Sequence, residues 1–157
     1  MKRMNLSESA FIIECFLRDG LQHEEHFIET EAKIYFAEAF IIAGIKEMEI
    51  TSFVHPKYAP QFRDAEEVLR TVKRKPGVVL DGLTVTEGAV RRVVEAFQEG
   101  WGPDSIGAMI STSETHNRMI TGMNHSDVFD KVGEWAKVAR QNDIAFVGCV
   151  GTFLGCP

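Results

Sequence analysis

Short apolar runs alternate along the chain with longer stretches in which apolar residues recur every three or four positions. Residues 11–17, 45–52, 78–85, 105–111 and 144–150 read as five strands. Between them, 29–43 reads as a helix with Ile34, Ala37, Phe40 and Ile41 on one face and Gly44 as its stop. A second helix is predicted over 64–75 and is closed by Pro76-Gly77. Thr86 is placed to cap a third, whose stripe is Val90, Val93, Val94 and Phe97. The fourth covers 126–140, with Val128, Val132, Trp135 and Ala139 facing inward.

Strict β–α alternation predicts an α/β domain with a parallel sheet covered by helices. The second strand adds a detail. Met48 and Ile50 share one face, and Glu47, Glu49 and Thr51 share the other. A strand buried on both sides of an open sheet is usually apolar on both faces. Carboxylates on one face suit a barrel with a polar interior. The expected fold is therefore of the parallel (β/α) TIM-barrel type, with five of eight strands in one partial domain spanning 1–157. A whole (β/α)8 barrel takes about 250 residues. A complete five-stranded doubly wound domain is the alternative that the pattern leaves open. No GxGxxG or GxxxxGK[ST] loop follows any strand, so dinucleotide and P-loop phosphate binding lack support.

Composition narrows the function. The chain has 157 residues, 45% of them apolar, enough for one ordinary core. Its 17 basic and 23 acidic residues are mixed along the sequence, which argues against a nucleic-acid surface. No apolar run approaches the ~18 residues of a membrane span. The first ten residues show neither a signal core nor an Arg-rich presequence. Cys15, Cys149 and Cys156 form no CxxC pair and read as reduced thiols, with Cys15 and Cys149 expected in the core. These features point to a soluble cytoplasmic protein.

In α/β folds ligands collect at the carboxyl ends of the strands. Arg18, Asp19 and Gln22 follow the first strand there; Glu49, Thr51, Ser52, His55 and Lys57 belong to the second; Ser111, Ser113, Glu114, His116 and Asn117 follow the fourth. So many ionisable groups on one edge more often mark a site than a scaffold. Each has a plainer reading. Asp19-Gly20 is a common turn dipeptide, and Arg18 with Glu49 makes an ordinary ion pair. His23-Glu24-Glu25-His26 reads as a solvated loop, His116 and His125 as surface histidines in loops, and Met119 to Met123 as packing or a lid.

Phe16-Leu17-Arg18-Asp19-Gly20-Leu21-Gln22 resembles the RDGxQ segment of the DRE-TIM metallolyases, most of all the 3-hydroxy-3-methylglutaryl-CoA lyases. Glu49 to Val54, with Pro56-Lys57 and Pro60-Gln61 after it, is similar to the second strand and following loop of that family; Gly148 to Pro157 is similar to the end of its fifth strand. Likeness is weaker over 78–102, where Asp81-Gly82-Leu83 departs from the family pattern. The resemblance implies a (β/α)8 barrel and a retro-Claisen cleavage of an acyl-CoA thioester to acetyl-CoA and a keto acid. It implies Asp19 as a ligand of Mg²⁺ or Mn²⁺, Arg18 as the group on the enolate oxygen and Glu49 as its holder. Gln22 would line the pocket, and Ser52 and His55 would border substrate. The family's His-x-His ligand pair has no counterpart in this sequence, and its catalytic Cys lies in a later Gly-rich loop, so Cys156 is not assigned that role. A half-barrel implies a homo-oligomer or a further barrel segment as partner. The alternatives are an aldolase, carboxyltransferase or condensing enzyme on the same barrel, or a non-catalytic half-barrel module.

Overall fold

The computed structural model describes residues 9–155. The expectations for the N-terminal leader and for Cys156 lie wholly or partly outside that range. Five strands, β1 (Ile13–Glu14), β2 (Glu47–Ser52), β3 (Val79–Thr84), β4 (Ser105–Ser111) and β5 (Ala145–Gly151), pair in sequence order, every pair parallel. Helices α1 (Thr30–Ala43), α2 (Ala65–Thr71), α3 (Glu87–Gln98), α4 (Glu114–Thr121) and α5 (His125–Gln141) fill the crossovers. A doubly wound sheet would reverse its strand order at a switch point. This one never reverses, so it is five-eighths of a barrel wall.

The core lies between the sheet and its helices. Met48 of β2 pairs with Leu80 of β3, Ile106 of β4 lies on the same face beside Gly82, and all three join Val90 and Val93 of α3 and Trp135 of α5 in one buried cluster. Burying an aliphatic side chain of this size contributes about 1.5–3 kcal/mol. The opposite, concave face carries Glu47, Glu49, Asp81, Leu83, Ser105 and Val147 around a shallow cavity.

Local chemistry sets the ends. The Thr86 hydroxyl accepts the Ala89 N–H at 3.2 Å, as expected of a cap, and Asn124 does the same for Asp127 at 2.9 Å. Gly44 ends α1 at φ 98°, a left-handed conformation glycine adopts without a Cβ clash.

Four expectations change. The first strand is two residues long, because the Cys15 carbonyl draws in the N–H groups of Arg18, Asp19 and Gly20 and turns 16–20 into one wide π-type turn. The second helix stops at Thr71 instead of reaching residue 75. Thr51 does not share the face of Glu49: the β2–β3 register slips between them, so Glu49 pairs with Asp81, Thr51 with Gly82 and Ser52 with Leu83. Finally, Cys149 is exposed on β5 and Cys15 is half-buried; neither belongs to the core, since β5 has no neighbour beyond it among the described residues.

Candidate active site

The π-type turn lifts Arg18 off the end of β1 and aims it across to β2. Its Nε donates to Glu49 Oε2 in a very close pair, and Nη1 reaches Asp19 Oδ1 at 3.0 Å. Arg18 is mostly buried, whereas the Asp19 side chain is 65% exposed. Burial opposes the guanidinium charge, but the Glu49 hydrogen bond and the fields of Glu49 and Asp19 outweigh it and raise the pKa of Arg18. Burial, with Glu49 next, raises the thiol pKa of nearby Cys15, so it stays neutral. The result is a fixed cation at a strand end, with one carboxylate holding it from inside and another facing out.

The remaining sequence candidates are dispersed. Gln22 is half-buried past the turn. Ser52 Oγ donates to the Leu83 carbonyl at 3.3 Å and accepts the Val54 N–H at 3.2 Å, so it shapes its own loop. His55 is exposed, its Nδ1 accepting the Lys57 N–H at 3.1 Å. Among the described residues no side-chain hydrogen bond joins these three to Arg18, Asp19 or Glu49. His23 and His26 lie on the exposed loop expected of them.

Three groups escaped the sequence reading. Asp81 stands in β3 between Glu49 and Ser105, 7% exposed, and accepts the Ser105 hydroxyl in a very short hydrogen bond. Burial, with Glu47 and Glu49 adding to it against the Ser105 bond, pushes its carboxyl up to about 6. A charge inside the apolar run 78–85 was the available signal. Lys33 is buried on α1 and bonds Asp64 at 2.7 and 2.9 Å. Gln61 beside it binds the carbonyls of Glu24 and His26, which pins the loop behind the Arg18 turn. Lys33 falls on the stripe of Ala37 and Ile41 at a spacing of four, a visible anomaly.

The segment after β4 is also more ordered than expected. Ser113 caps α4 by accepting the His116 N–H at 3.3 Å, and Asn117, fully buried, accepts the Ser111 N–H and donates to the Met123 carbonyl. His116 and His125 are therefore half-buried helix residues, not loop residues. His125 joins Glu114 at 3.1 Å and the Ser111 carbonyl at 2.8 Å. The His125 backbone N–H, with Arg118 and His125 itself assisting, holds the Glu114 carboxyl below the usual range.

Asp19 offers the hard oxygen a Mg²⁺ or Mn²⁺ ion prefers, but such ions take several oxygen ligands. Among the described residues no group of three or more His, Cys, Asp or Glu stands ready to hold a metal. The described set therefore does not by itself fit the cation.

Five parallel strands that pair in sequence order, with an arginine clamped at the end of the first, form part of a (β/α)-barrel wall. Residues 10–153 match the HMGL-like family, and the chain belongs to it. It is 32% identical over 140 residues to a hydroxymethylglutaryl-CoA lyase of Bacillus subtilis, covering 89% of this chain and 45% of that one. It is 32% identical over 152 residues to the cytoplasmic 3-hydroxy-3-methylglutaryl-CoA lyase of Homo sapiens, covering 97% and 40%. The Bacillus subtilis HMG-CoA lyase structure superposes with a TM-score of 0.88 at 30% identity, over 96% of this chain and 49% of that one. An HMG-CoA lyase from Acinetobacter baumannii in complex with coenzyme A and 3-methylmalate gives 0.85 at 31%, over 94% and 46%. The chain spans about half the length of the curated relatives it matches. No helix among the described residues is long and apolar enough to cross a membrane.

Proposed function

We propose that this chain supplies the arginine-bearing half of a carbon–carbon lyase site that cleaves a 3-hydroxy-3-methylglutaryl-CoA-type thioester to acetyl-CoA and a keto acid. The observation that carries the reading is the Arg18–Glu49–Asp19 constellation at the mouth of an HMGL-like half-barrel. In such a cleavage the C3 hydroxyl loses its proton and its oxygen collapses to a ketone. The C2–C3 bond breaks, and its electron pair moves into the thioester carbonyl as an enolate. Protonation at C2 then yields acetyl-CoA.

Arg18 serves the second stage. With Nε committed to Glu49 and Nη1 to Asp19, its orientation is set before substrate arrives. Its other N–H groups can then meet the thioester oxygen as negative charge builds there. A donor aligned in advance needs no reorganisation during the step, and one such donor is worth about 2.7–4 kcal/mol. Glu49 holds the guanidinium, so its loss acts through Arg18. Ser52 and His55 would border the acyl group and Gln22 the pocket wall. Asp19 would give one oxygen to a divalent cation, which when bound polarises the substrate oxygens. The other metal ligands and the base that takes the hydroxyl proton would come from outside the described residues. The cytoplasm, as in the human relative, is the proposed compartment.

The test is turnover of 3-hydroxy-3-methylglutaryl-CoA with Mn²⁺, run on this chain beside a version extended downstream in its gene. Activity in the extended version alone supports a shared site. Absence from both overturns the lyase reading and leaves the family membership, which rests on sequence and fold, in place.

A further inference from the structure

The concave face gathers three carboxylates, Glu47, Glu49 and Asp81, around one cavity. Of these three, Arg18 bonds Glu49 alone; its second carboxylate partner, Asp19, lies outside the cavity. Every other neighbour of Asp81 on this face is uncharged: Ser105 from β4, Leu83 from its own strand, and Val147 of β5 across the cavity. Asp81 sits directly beside Glu49 in the β2–β3 register. Carboxylates this crowded cannot all ionise cheaply, and the most enclosed keeps its proton longest. We propose that Asp81 is a positioning residue for Arg18: protonated, it joins Glu47 and Ser105 and leaves Glu49 to hold the guanidinium; ionised, it adds a competing negative charge beside Glu49 and redistributes the contacts of Arg18.

Several observations converge on this. Asp81 is buried and fixed on one side by the Ser105 hydroxyl, so its charge cannot swing away to solvent. Burial is the largest force raising its carboxyl pKa, to about 6; Glu47 and Glu49 act in the same direction, and Glu47 shares a hydrogen bond with it. Among the described residues no hydrogen bond joins Asp81 to Asp19. The consequence for chemistry rests on the reading of Arg18 as the group that stabilises the enolate; the electrical coupling does not.

The experiment is a pH titration of this chain by NMR between pH 5 and 8, following the Arg18 Nε–H signal and the Asp81 side-chain carboxyl carbon. Both should inflect together near pH 6. Asp81→Asn should flatten the Arg18 curve. Ser105→Ala, a milder change that keeps the aspartate, should move both midpoints up by about half a pH unit or more, because the lost hydrogen bond favoured the charged form. An Arg18 signal that stays flat in the unsubstituted chain overturns the proposal. So does an inflection that survives in Asp81→Asn or ignores Ser105→Ala. Failure of the lyase assay leaves these readouts untouched, so the two readings fall separately.

Discussion

Replacing Lys33 with methionine would remove an ammonium from the most enclosed ion pair among the described residues while keeping its aliphatic stem. Lys33 is 4% exposed and the Asp64 side chain 7%. The ammonium contacts both Asp64 oxygens, at 2.7 and 2.9 Å, donates to the Gln61 carbonyl and lies 4.1 Å from the Phe27 ring centre. Without it, Asp64 retains the Thr30 hydroxyl at 2.9 Å as partner, and the Gln61 carbonyl loses a strong donor. Breaking one side of a buried pair typically costs about 3–5 kcal/mol, because the orphaned charge remains enclosed. Lys33→Met should therefore lower the urea midpoint by that equivalent, followed by circular dichroism. Adding Asp64→Leu should restore a large part of the loss, since the stranded charge is then gone. A single-variant cost below about 1 kcal/mol, or additive losses in the double variant, would refute the reasoning.

Asp81 gives a pH prediction with a definite sign. Its carboxyl binds a proton more tightly folded than unfolded, so its contribution is full below the ordinary value of 3.8 and lost as pH rises through about 6. The gap corresponds to roughly 3 kcal/mol, and urea midpoints of Asp81→Asn should lack that decline between pH 4 and 7. Arg18→Gln, in whatever assembly cleaves substrate, should reduce kcat by about 10²–10³ with KM little changed, as steady-state kinetics would show. Thr86→Ala should destabilise by about 1 kcal/mol in the same unfolding assay, through loss of the α3 cap.

Much of this architecture could be read from apolar spacing. β2 to β5, α1, α3 and α5 each carry a stripe or run that survives in the fold. α4 could not be read so, because 114–121 offers only Met119 and Ile120 as apolar residues. It is held by the Ser113 cap, the Glu114–Arg118 pair at 3.0 Å and the left-handed Gly122, which are local polar devices without a hydrophobic period. The first strand was over-read for the opposite reason. Its apolar run continues through Leu17, yet one carbonyl, that of Cys15, captures three successive N–H groups and diverts the chain. Within the site, the Arg18–Glu49 pairing follows from a motif and a polar strand face, whereas Asp81 and Ser105 meet only through register, which composition does not encode.

The slipped register of β2 has a consequence for how this wall tolerates change in length. Glu49 and Ser52 are three positions apart, an odd spacing that in a regular strand places side chains on opposite faces. They share the concave face because the extra residue between Glu49 and Thr51 is absorbed without a partner. Deleting Ile50 would leave a strand of regular pairing but would remove a buried side chain from the core between sheet and helices. Adding a residue at the same point would instead turn Ser52 outward and bring its predecessor in. Length variation at this one place thus decides which side chain of β2 stands beside Leu83 on the concave face.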